Sequence, residues 1–270
     1  MKTPTTNSPI NLTKMPFGRD LPPEDLFSYA QLDELKRLVR SAFEQKFPFM
    51  LSGESGIGKT TAIRLVLADL PTNKYSIHYF GQDQDGSNLV RRFACALGLQ
   101  PKTSRRHTWM QISQLLADNL IEQGKIPIVV VDEAHLLDDS TLEDLRLLTN
   151  ADFDRTSPLA LILLGQLPLR TRLKAPSFEA FSQRLRFRYA LEGFTQDETS
   201  AYIKHHLRLA ELPEDLFTAD AVKLVFLSSR GIIREINNYC TLSILKAQSL
   251  LASKIDAKLV RQVLDQRELN

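Results

Sequence analysis

The stretch Gly53-Glu54-Ser55-Gly56-Ile57-Gly58-Lys59-Thr60 decides how this chain of 270 residues is interpreted. It matches the pattern G-x-x-x-x-G-K-[ST] at every fixed position. An apolar segment, Phe47 to Leu51, precedes it, and apolar residues at helical spacing follow it. A glycine-rich turn between a strand and a helix points backbone N–H groups at a phosphate, and the helix N-terminus adds positive potential. The stretch therefore predicts a nucleotide-binding loop.

Individual side chains of this loop have expected contacts with ATP. Lys59 would reach the β- and γ-phosphates, and the hydroxyl of Thr60 would bind Mg²⁺. The other residues would contribute mainly backbone groups that surround the phosphates. The predicted nucleotide-binding residues of the loop are Gly53, Glu54, Ser55, Gly56, Ile57, Gly58, Lys59, Thr60 and Thr61.

A second segment, Ile126 to Val131 followed by Asp132 and Glu133, predicts the acidic half of the same site. Its continuous apolar run is typical of a strand buried on both faces of a parallel sheet. Asp132 would then lie at the carboxyl edge of the sheet, where it would bind Mg²⁺ together with Thr60. Glu133 would orient and polarise the attacking water. The two segments together predict an enzyme that hydrolyses ATP to ADP and phosphate.

The letters Asp132-Glu133-Ala134-His135 also spell the box of one class of helicases. Such helicases need a second motor domain of similar size, and the roughly 80 residues after the core are too few to form one. We therefore expect His135 to be a neighbour of the nucleotide site, and we set the helicase interpretation aside.

Strand-like and helix-like segments alternate through the first two thirds of the chain, which is typical of an α/β fold with a parallel sheet covered by helices. A basic linker, Lys102 to His107, leads to a helix predicted to begin at Thr108. From about Gly193 onward the pattern is wholly helical. The predicted organisation is an N-terminal arm (1–19), an α/β core (20–192) and a helical lid (193–270). The predicted strands are Phe47 to Leu51, Tyr75 to Phe80, Ile126 to Val131, Leu159 to Leu164 and Arg186 to Leu191.

These features together resemble an AAA+ ATPase, a P-loop NTPase with a parallel five-stranded sheet and a C-terminal helical lid. Within that superfamily the chain is most similar to the ExeA-like group, which shares ancestry with the transposition ATPases TniB, TnsC and MuB. The similarity extends from Phe17 nearly to the end. The segments that carry it are Pro16-Phe17, Asp132 to Leu137, Leu164-Gly165-Gln166, Gln183-Arg184, Thr195 to Tyr202 and Gly231 to Asn237.

The resemblance implies further roles. Gln166 takes the sensor-1 position, where a polar side chain helps to place the lytic water, and Arg234 takes the sensor-2 position near the γ-phosphate. Arg184 resembles an arginine finger that completes the site of a neighbouring subunit, although Arg186 and Arg188 are alternatives. A surface ion pair of Arg234 with Glu235 or Asp256, and solvated arginines on an edge strand, remain open as alternatives. The implied catalytic residues are Glu133, Lys59, Gln166 and Arg184, and a finger in trans implies a homo-oligomer, either a ring or a helical filament.

Composition sets limits on location and partners. No apolar stretch approaches the roughly 20 residues needed to cross a bilayer, and the N-terminus is polar. We expect no membrane association and a cytoplasmic protein whose two cysteines, Cys95 and Cys240, are buried and reduced. The net charge of +2 says little about nucleic acid, so the placement of basic residues must decide.

By family, ExeA-like secretion proteins are longer and contain a membrane segment, which this sequence lacks. That difference favours the soluble branch of the family. We therefore expect an ATPase that oligomerises on double-stranded DNA, selects target DNA and activates a transposase. Trp109, near the candidate DNA contacts, would touch a sugar or base. The alternative for these residues is a solvated basic loop and a core tryptophan; the alternative function is an ATPase switch that recruits a protein, as in a secretion assembly, without DNA. The candidate contacts are Arg91, Lys102, Thr103, Arg105 and Arg106, with Arg92 and His107 beside them.

Overall fold

Five parallel strands form one sheet in the order β2-β3-β4-β1-β5. The computed structural model describes residues 10, 12, 14–18, 21–45, 47–81, 86–122, 125–149 and 157–268. The predicted parallel five-stranded sheet is therefore confirmed. The strands are β1 (Phe49–Ser52), β2 (Tyr75–Phe80), β3 (Ile126–Val131), β4 (Ala160–Gly165) and β5 (Phe187–Ala190).

The central strands β3 and β4 are buried along almost their whole length. Every residue of β4 is buried, and in β3 only Ile126 is partly exposed. Strands covered by helices on both faces have to be apolar throughout, which explains the continuous runs in the sequence. Because all five strands are parallel, the residues that follow β1, β3 and β4 lie at the same edge of the sheet.

The helices of the sheet region follow the predicted pattern, with one difference that concerns the basic segment. The helix predicted to begin at Thr108 begins at Arg105. The Thr108 hydroxyl lies 3.2 Å from the carbonyl oxygens of Lys102 and Ser104, so it donates to the preceding turn and does not cap the helix start. Arg105 to His107 thus belong to a helix. The helices are α1 (Ala30–Glu44), α2 (Lys59–Ala68), α3 (Gly86–Ala96), α4 (Arg105–Glu122), α5 (Asp139–Leu148), α6 (Leu167–Arg172) and α7 (Glu179–Arg184).

Contacts divide the described chain into two units. The sheet unit contains Ala30–Glu54 and Lys59–Leu191, and the helical unit contains the described part of Met1–Tyr29 together with Ser55–Gly58 and Glu192–Asn270. Residues 21–29, which the sequence analysis placed in the core, thus group with the helices. The helices of this unit are α8 (Gln196–Leu209), α9 (Ala219–Ser229), α10 (Ile233–Ser249) and α11 (Ala257–Glu268).

The N-terminal segment packs into the helical unit. Phe17 is buried, and its backbone lies in the left-handed region (φ 63°). Its ring stacks on that of His206 with a centroid distance of 4.9 Å. His205 Nε2 contacts the carbonyl oxygen of Asp25 at 2.7 Å. Ile10 is buried in the same core. Residues 1–9, 11, 13 and 19 of the predicted arm lie outside the described residues, but Ile10 and Phe17 are part of a core.

Thr195 and Glu198 form a capping box at the start of α8. Of the two cysteines, both free, Cys240 is buried as expected, and burial raises the pKa of its thiol. The expectation of burial is wrong for Cys95, which is exposed because its side chain lies on the solvent side of α3. No helix in the described part of the chain is long and apolar enough to cross a bilayer.

The buried His206 predicts a pH-dependent stability. Burial, with a smaller contribution from His205, lowers the pKa of His206 to about 4. His206 therefore binds a proton near pH 6.5 in the unfolded chain but only near pH 4 in the folded chain. The free energy of unfolding falls as the pH decreases from 6.5 towards 4. At pH 5 the loss is expected to be about 2 kcal/mol.

Urea unfolding at pH 7 and pH 5 measures this loss. His206→Gln should reduce the difference between the two pH values by about 2 kcal/mol. His107→Gln, which changes an exposed histidine of α4, is the matched control and should keep the wild-type difference. An unchanged pH dependence in His206→Gln would contradict the assignment.

Candidate nucleotide site

Lys59 opens α2 and points back over the glycine loop. It is 5% exposed, and its Nζ donates to the carbonyl oxygens of Gly53 (3.1 Å) and Glu54 (3.0 Å). The position at a helix N-terminus beside the loop therefore fits the phosphates of a nucleotide.

The carboxylate of Asp132 joins the two motifs of the sequence. Asp132 follows β3 and is 5% exposed. Its Oδ2 accepts hydrogen bonds from Thr60 Oγ1 (2.6 Å) and from Tyr79 Oη (2.7 Å), and its Oδ1 accepts one from the backbone N–H of Glu133 (2.8 Å). The predicted magnesium ligands Thr60 and Asp132 are thus in direct contact.

Tyr79 belongs to this site although the sequence analysis did not include it. It lies on β2, opposite Val130 of β3. Burial, followed by the hydrogen bond to Asp132, raises the pKa of the Tyr79 phenol well above its usual value, so it remains a donor. Only the pairing of β2 with β3 brings Tyr79 to Asp132, and that pairing depends on the strand order.

Glu133 has a strained backbone and two polar neighbours. Its φ of 51° lies in the left-handed region, which is uncommon outside glycine and is often found at functional sites. Gln166 Nε2 donates to Glu133 Oε2 at 3.4 Å, and His135 Nδ1 lies 3.3 Å from the same oxygen. Gln166 directly follows β4. The structure therefore places both the predicted sensor-1 residue and His135 beside one carboxylate oxygen of Glu133.

The tip of the loop, Ser55–Gly58, groups with the helical unit and contacts the start of α10. The backbone N–H of Arg234 donates to the carbonyl oxygen of Gly56 (3.0 Å), and its Nη1 donates to Ser55 Oγ (3.1 Å). Gly56 has a φ of +80°, and a Cβ there would lie 2.7 Å from Arg234 Cβ. The close approach therefore requires glycine. Glu235, considered as an ion-pair partner of Arg234, pairs with Arg267 instead.

Two of the three candidate finger arginines are engaged within the sheet unit. Arg186 lies 4.3 Å from the centroid of the Phe47 ring. Arg188 donates to the carbonyl oxygens of Leu185 (2.7 Å) and Ser182 (2.6 Å). Arg184 is the last residue of α7 and is partly exposed. Which of the three serves as the finger stays a prediction, and Arg184 remains the residue that the resemblance implies.

Arg105 differs from the other candidate DNA contacts because its guanidinium is engaged by α5. Nε donates to Asp144 (2.7 Å), Nη1 to Ser140 (3.1 Å) and Nη2 to Thr141 (2.9 Å). These contacts attach α4 to α5 and indicate a structural role. Two residues beside the basic segment contact apolar groups. Arg92 lies over the Phe80 ring, and Trp109 is partly buried and packs against the hydrophobic core. The exposed candidates are Arg91, Lys102, Thr103 and Arg106.

An open cavity of about 740 Å³ lies between α4 and α5. Two of its lining side chains are strongly exposed for apolar residues, Met110 at 60% and Leu147 at 51%. Large exposed apolar side chains that share one surface are typical of a protein-binding site. The cavity is lined by Arg105, Arg106, Trp109, Met110, Ser113, Gln114, Ser140, Asp144, Leu147, Leu148 and Pro158.

Comparison with known proteins agrees with the fold. Residues 40–173 match the family model described as AAA domain. This chain has a P-loop NTPase fold of the AAA type. Its sheet order and flanking helices are those of a P-loop NTPase, and that fold implies nucleotide binding.

Similar proteins are known from bacteria and archaea. The chain is 31% identical over 209 residues to General secretion pathway protein A of Aeromonas hydrophila, which supports the ExeA-like resemblance. The match covers 76% of this chain and 38% of that protein's length. Two solved structures share the fold. Cdc6p from Pyrobaculum aerophilum has a TM-score of 0.64 and 19% identity, and the match covers 83% of this chain and 63% of that one. The Aeropyrum pernix ORC1 protein in complex with DNA has a TM-score of 0.62 and 16% identity, and the match covers 90% of this chain and 66% of that one.

The contrast between Arg105 and Arg106 generates a stability prediction. Arg105→Ala removes three hydrogen bonds to α5, and we expect it to lower the free energy of unfolding by about 1–2 kcal/mol. Arg106→Ala removes an exposed charge on the same turn and should change it by less than about 0.5 kcal/mol. Urea denaturation at pH 7 compares the two variants. Equal effects would show that Arg105 has no special structural role.

Proposed function

We propose that this chain is a magnesium-dependent ATPase that works in a homo-oligomer. The contact between Thr60 and Asp132 at 2.6 Å carries the proposal, because it brings the glycine-rich loop and the acidic strand end together. Lys59 and Glu133 flank that contact in the sequence. This is the arrangement that phosphoryl transfer to water requires: a cation for the phosphates, oxygen ligands for a metal and a carboxylate for the water.

The side chains present fit a magnesium ion. A hydroxyl and a carboxylate are hard oxygen ligands, which Mg²⁺ prefers. When bound, Mg²⁺ would neutralise negative charge on the phosphate oxygens of ATP. Thr60 and Asp132 would hold it.

The chain's own residues would perform the remaining steps. Lys59 would leave the carbonyl oxygens of Gly53 and Glu54 and bind the terminal phosphates of ATP. Glu133 would accept a hydrogen bond from the attacking water and orient it towards the γ-phosphorus. Gln166, within 3.4 Å of Glu133, would hold that carboxylate and the water in place. Arg234, which contacts the loop tip, would sense the γ-phosphate.

A neighbouring subunit would complete the site with Arg184. A guanidinium group supplied in trans neutralises charge that develops on the transferred phosphoryl group. The resemblance to the arginine-finger segment of AAA+ proteins, which here is the end of α7, supports Arg184 as the residue offered to the neighbour. The proposed assembly is a ring or a helical filament.

Mixing two inactive variants tests hydrolysis and the finger in trans together. Glu133→Gln and Arg184→Ala should each lower the rate of phosphate release by about 100-fold or more. In a mixed oligomer, the Arg184→Ala subunit keeps its own Glu133 and receives an intact Arg184 from the Glu133→Gln subunit. The mixture should therefore recover part of the wild-type rate. Arg186→Ala is the control and should stay active on its own; no recovery on mixing would contradict a finger in trans.

For the biological role, we propose that the oligomer forms on double-stranded DNA and regulates transposition by selecting target DNA and activating a transposase in the cytoplasm. The exposed side chains of Arg91, Lys102, Thr103 and Arg106 support this proposal, since phosphate contacts come mainly from such groups. The fold shared with an ORC1 protein solved in complex with DNA is compatible with it. Arg105 is left out of the contact set because α5 engages it.

The second candidate function is an ATPase switch that recruits a protein without DNA, as in a secretion assembly. Two observations favour it. The chain is 31% identical to part of General secretion pathway protein A. Beside Arg106, the exposed Met110 and Leu147 border a cavity whose exposed lining surface is mostly apolar, which suits a protein surface better than a phosphate backbone.

ATPase rate and particle size, measured with and without double-stranded DNA at low and moderate salt, separate the two functions. If DNA is the partner, it should stimulate hydrolysis and assembly, and the triple variant Arg91→Ala, Lys102→Ala and Arg106→Ala should lower the salt slope of binding by about 3. The control removes three exposed charges of the helical unit: Lys223→Ala, Lys258→Ala and Arg261→Ala. Hydrolysis that DNA leaves unchanged would contradict the transposition role and favour a protein partner.

A further inference from the structure

The phenol of Tyr79 contacts the carboxylate that is expected to bind magnesium. Tyr79 Oη donates to Asp132 Oδ2 at 2.7 Å, which is a normal length for a charge-assisted O–H···O⁻ bond. The same oxygen accepts the Thr60 hydroxyl at 2.6 Å. Asp132 Oδ1 is held separately by the backbone N–H of Glu133. Both oxygens of the carboxylate therefore have donors, and Tyr79 supplies one of them.

The surroundings of Tyr79 indicate that packing alone does not explain this tyrosine. The side chain is 49% exposed, so it buries little apolar surface for its size. Its ring lies against Gly81, where a Cβ would be 2.9 Å from Tyr79 Cε1 and 3.4 Å from Oη. A glycine at 81 thus leaves room for the ring in the orientation that reaches Asp132.

Thr60 and Tyr79 differ in their other expected contacts. The Thr60 hydroxyl oxygen is itself an expected magnesium ligand, and its O–H can donate to Asp132 at the same time. Tyr79 has no such second role in the predicted site and is fixed by the pairing of β2 with β3. Groups that orient a metal-binding carboxylate from outside contribute strongly to metal affinity.

We propose that Tyr79 is a positioning residue that fixes the orientation of the Asp132 carboxylate for Mg²⁺. The proposal rests on the proposed ATPase function and adds to it a residue on a third segment of the chain. Tyr79 would act through Asp132 and would touch neither the phosphates nor the attacking water. Its effect should therefore appear in magnesium dependence and be absent from magnesium-free nucleotide binding.

Binding of a fluorescent ATP analogue, titrated in EDTA and at increasing MgCl₂, tests this role. In Tyr79→Phe, which removes only the hydroxyl, the half-saturating Mg²⁺ concentration should rise by about 10- to 100-fold. The affinity measured in EDTA should stay within about twofold of wild type. Tyr75→Phe removes a hydroxyl from the same strand, away from Asp132, and should behave as wild type in both conditions.

A second variant reaches the same contact from the other side. In Gly81→Ala the new Cβ would displace the Tyr79 ring, and the Mg²⁺ requirement should rise as in Tyr79→Phe. Combined with Tyr79→Phe, the alanine should add little, because both changes remove one interaction. Additive losses in the double variant would overturn the proposal.

The remaining outcomes also decide. A Tyr79→Phe protein with wild-type Mg²⁺ dependence, or one that loses affinity equally with and without Mg²⁺, would overturn the role of Tyr79 and leave the ATPase standing. A wild-type protein that binds the analogue in neither condition would overturn the proposed function, and with it this inference. Retention of the wild-type melting temperature in Tyr79→Phe would show that the fold is intact.

Discussion

The hydrogen bonds at the Asp132 carboxylate depend on three separate segments of the chain ending in the same place. Thr60 follows β1 through the glycine loop, Tyr79 lies near the end of β2, and Asp132 follows β3. These segments meet because the strands run parallel, so that their carboxyl ends share one edge. An antiparallel arrangement would send the same residues to opposite edges. The site is therefore a consequence of the sheet's direction before it is a consequence of any one side chain.

Burial of the central strands explains why the polar residues are concentrated at that edge. β3 and β4 are covered on both faces and carry only apolar residues and one glycine along their length. Asp132, Glu133 and Gln166 come directly after these strands, where the chain leaves the core. Glu133 enters the left-handed region at this point, and Gly56 does so in the loop. Strained backbone at the ends of rigid strands is a common way to hold functional groups in place.

The sequence predicted the parts of this architecture that local pattern controls. The glycine loop, the apolar strands and the acidic residues after β3 follow from spacing and periodicity, and the structure confirms the strands and their parallel arrangement. The role of Tyr79 was not predicted, because its contact with Asp132 depends on β2 lying next to β3, which no local pattern encodes. The burial of Phe17 was not predicted for a similar reason, since its ring stacks on His206, almost 190 residues away along the chain. A polar, proline-containing N-terminus indicated an arm, whereas long-range packing makes part of it a core element.

The basic segment shows that a run of positive charges in a sequence is not yet a positive surface. Arg105 and Arg106 are adjacent, but the first turn of α4 separates them by about 100°. Arg105 faces α5, where a carboxylate and two hydroxyls accept hydrogen bonds from its guanidinium group. Arg106 faces solvent. The solvent-facing side of α4 then combines Arg106 with Met110, a cation with an apolar group. A DNA backbone would use the charge and leave the apolar group unused, whereas a protein partner would use both. The surface of α4 and α5 therefore bears on which class of partner the chain would bind, and the arrangement of polar residues at the sheet edge is compatible with either class.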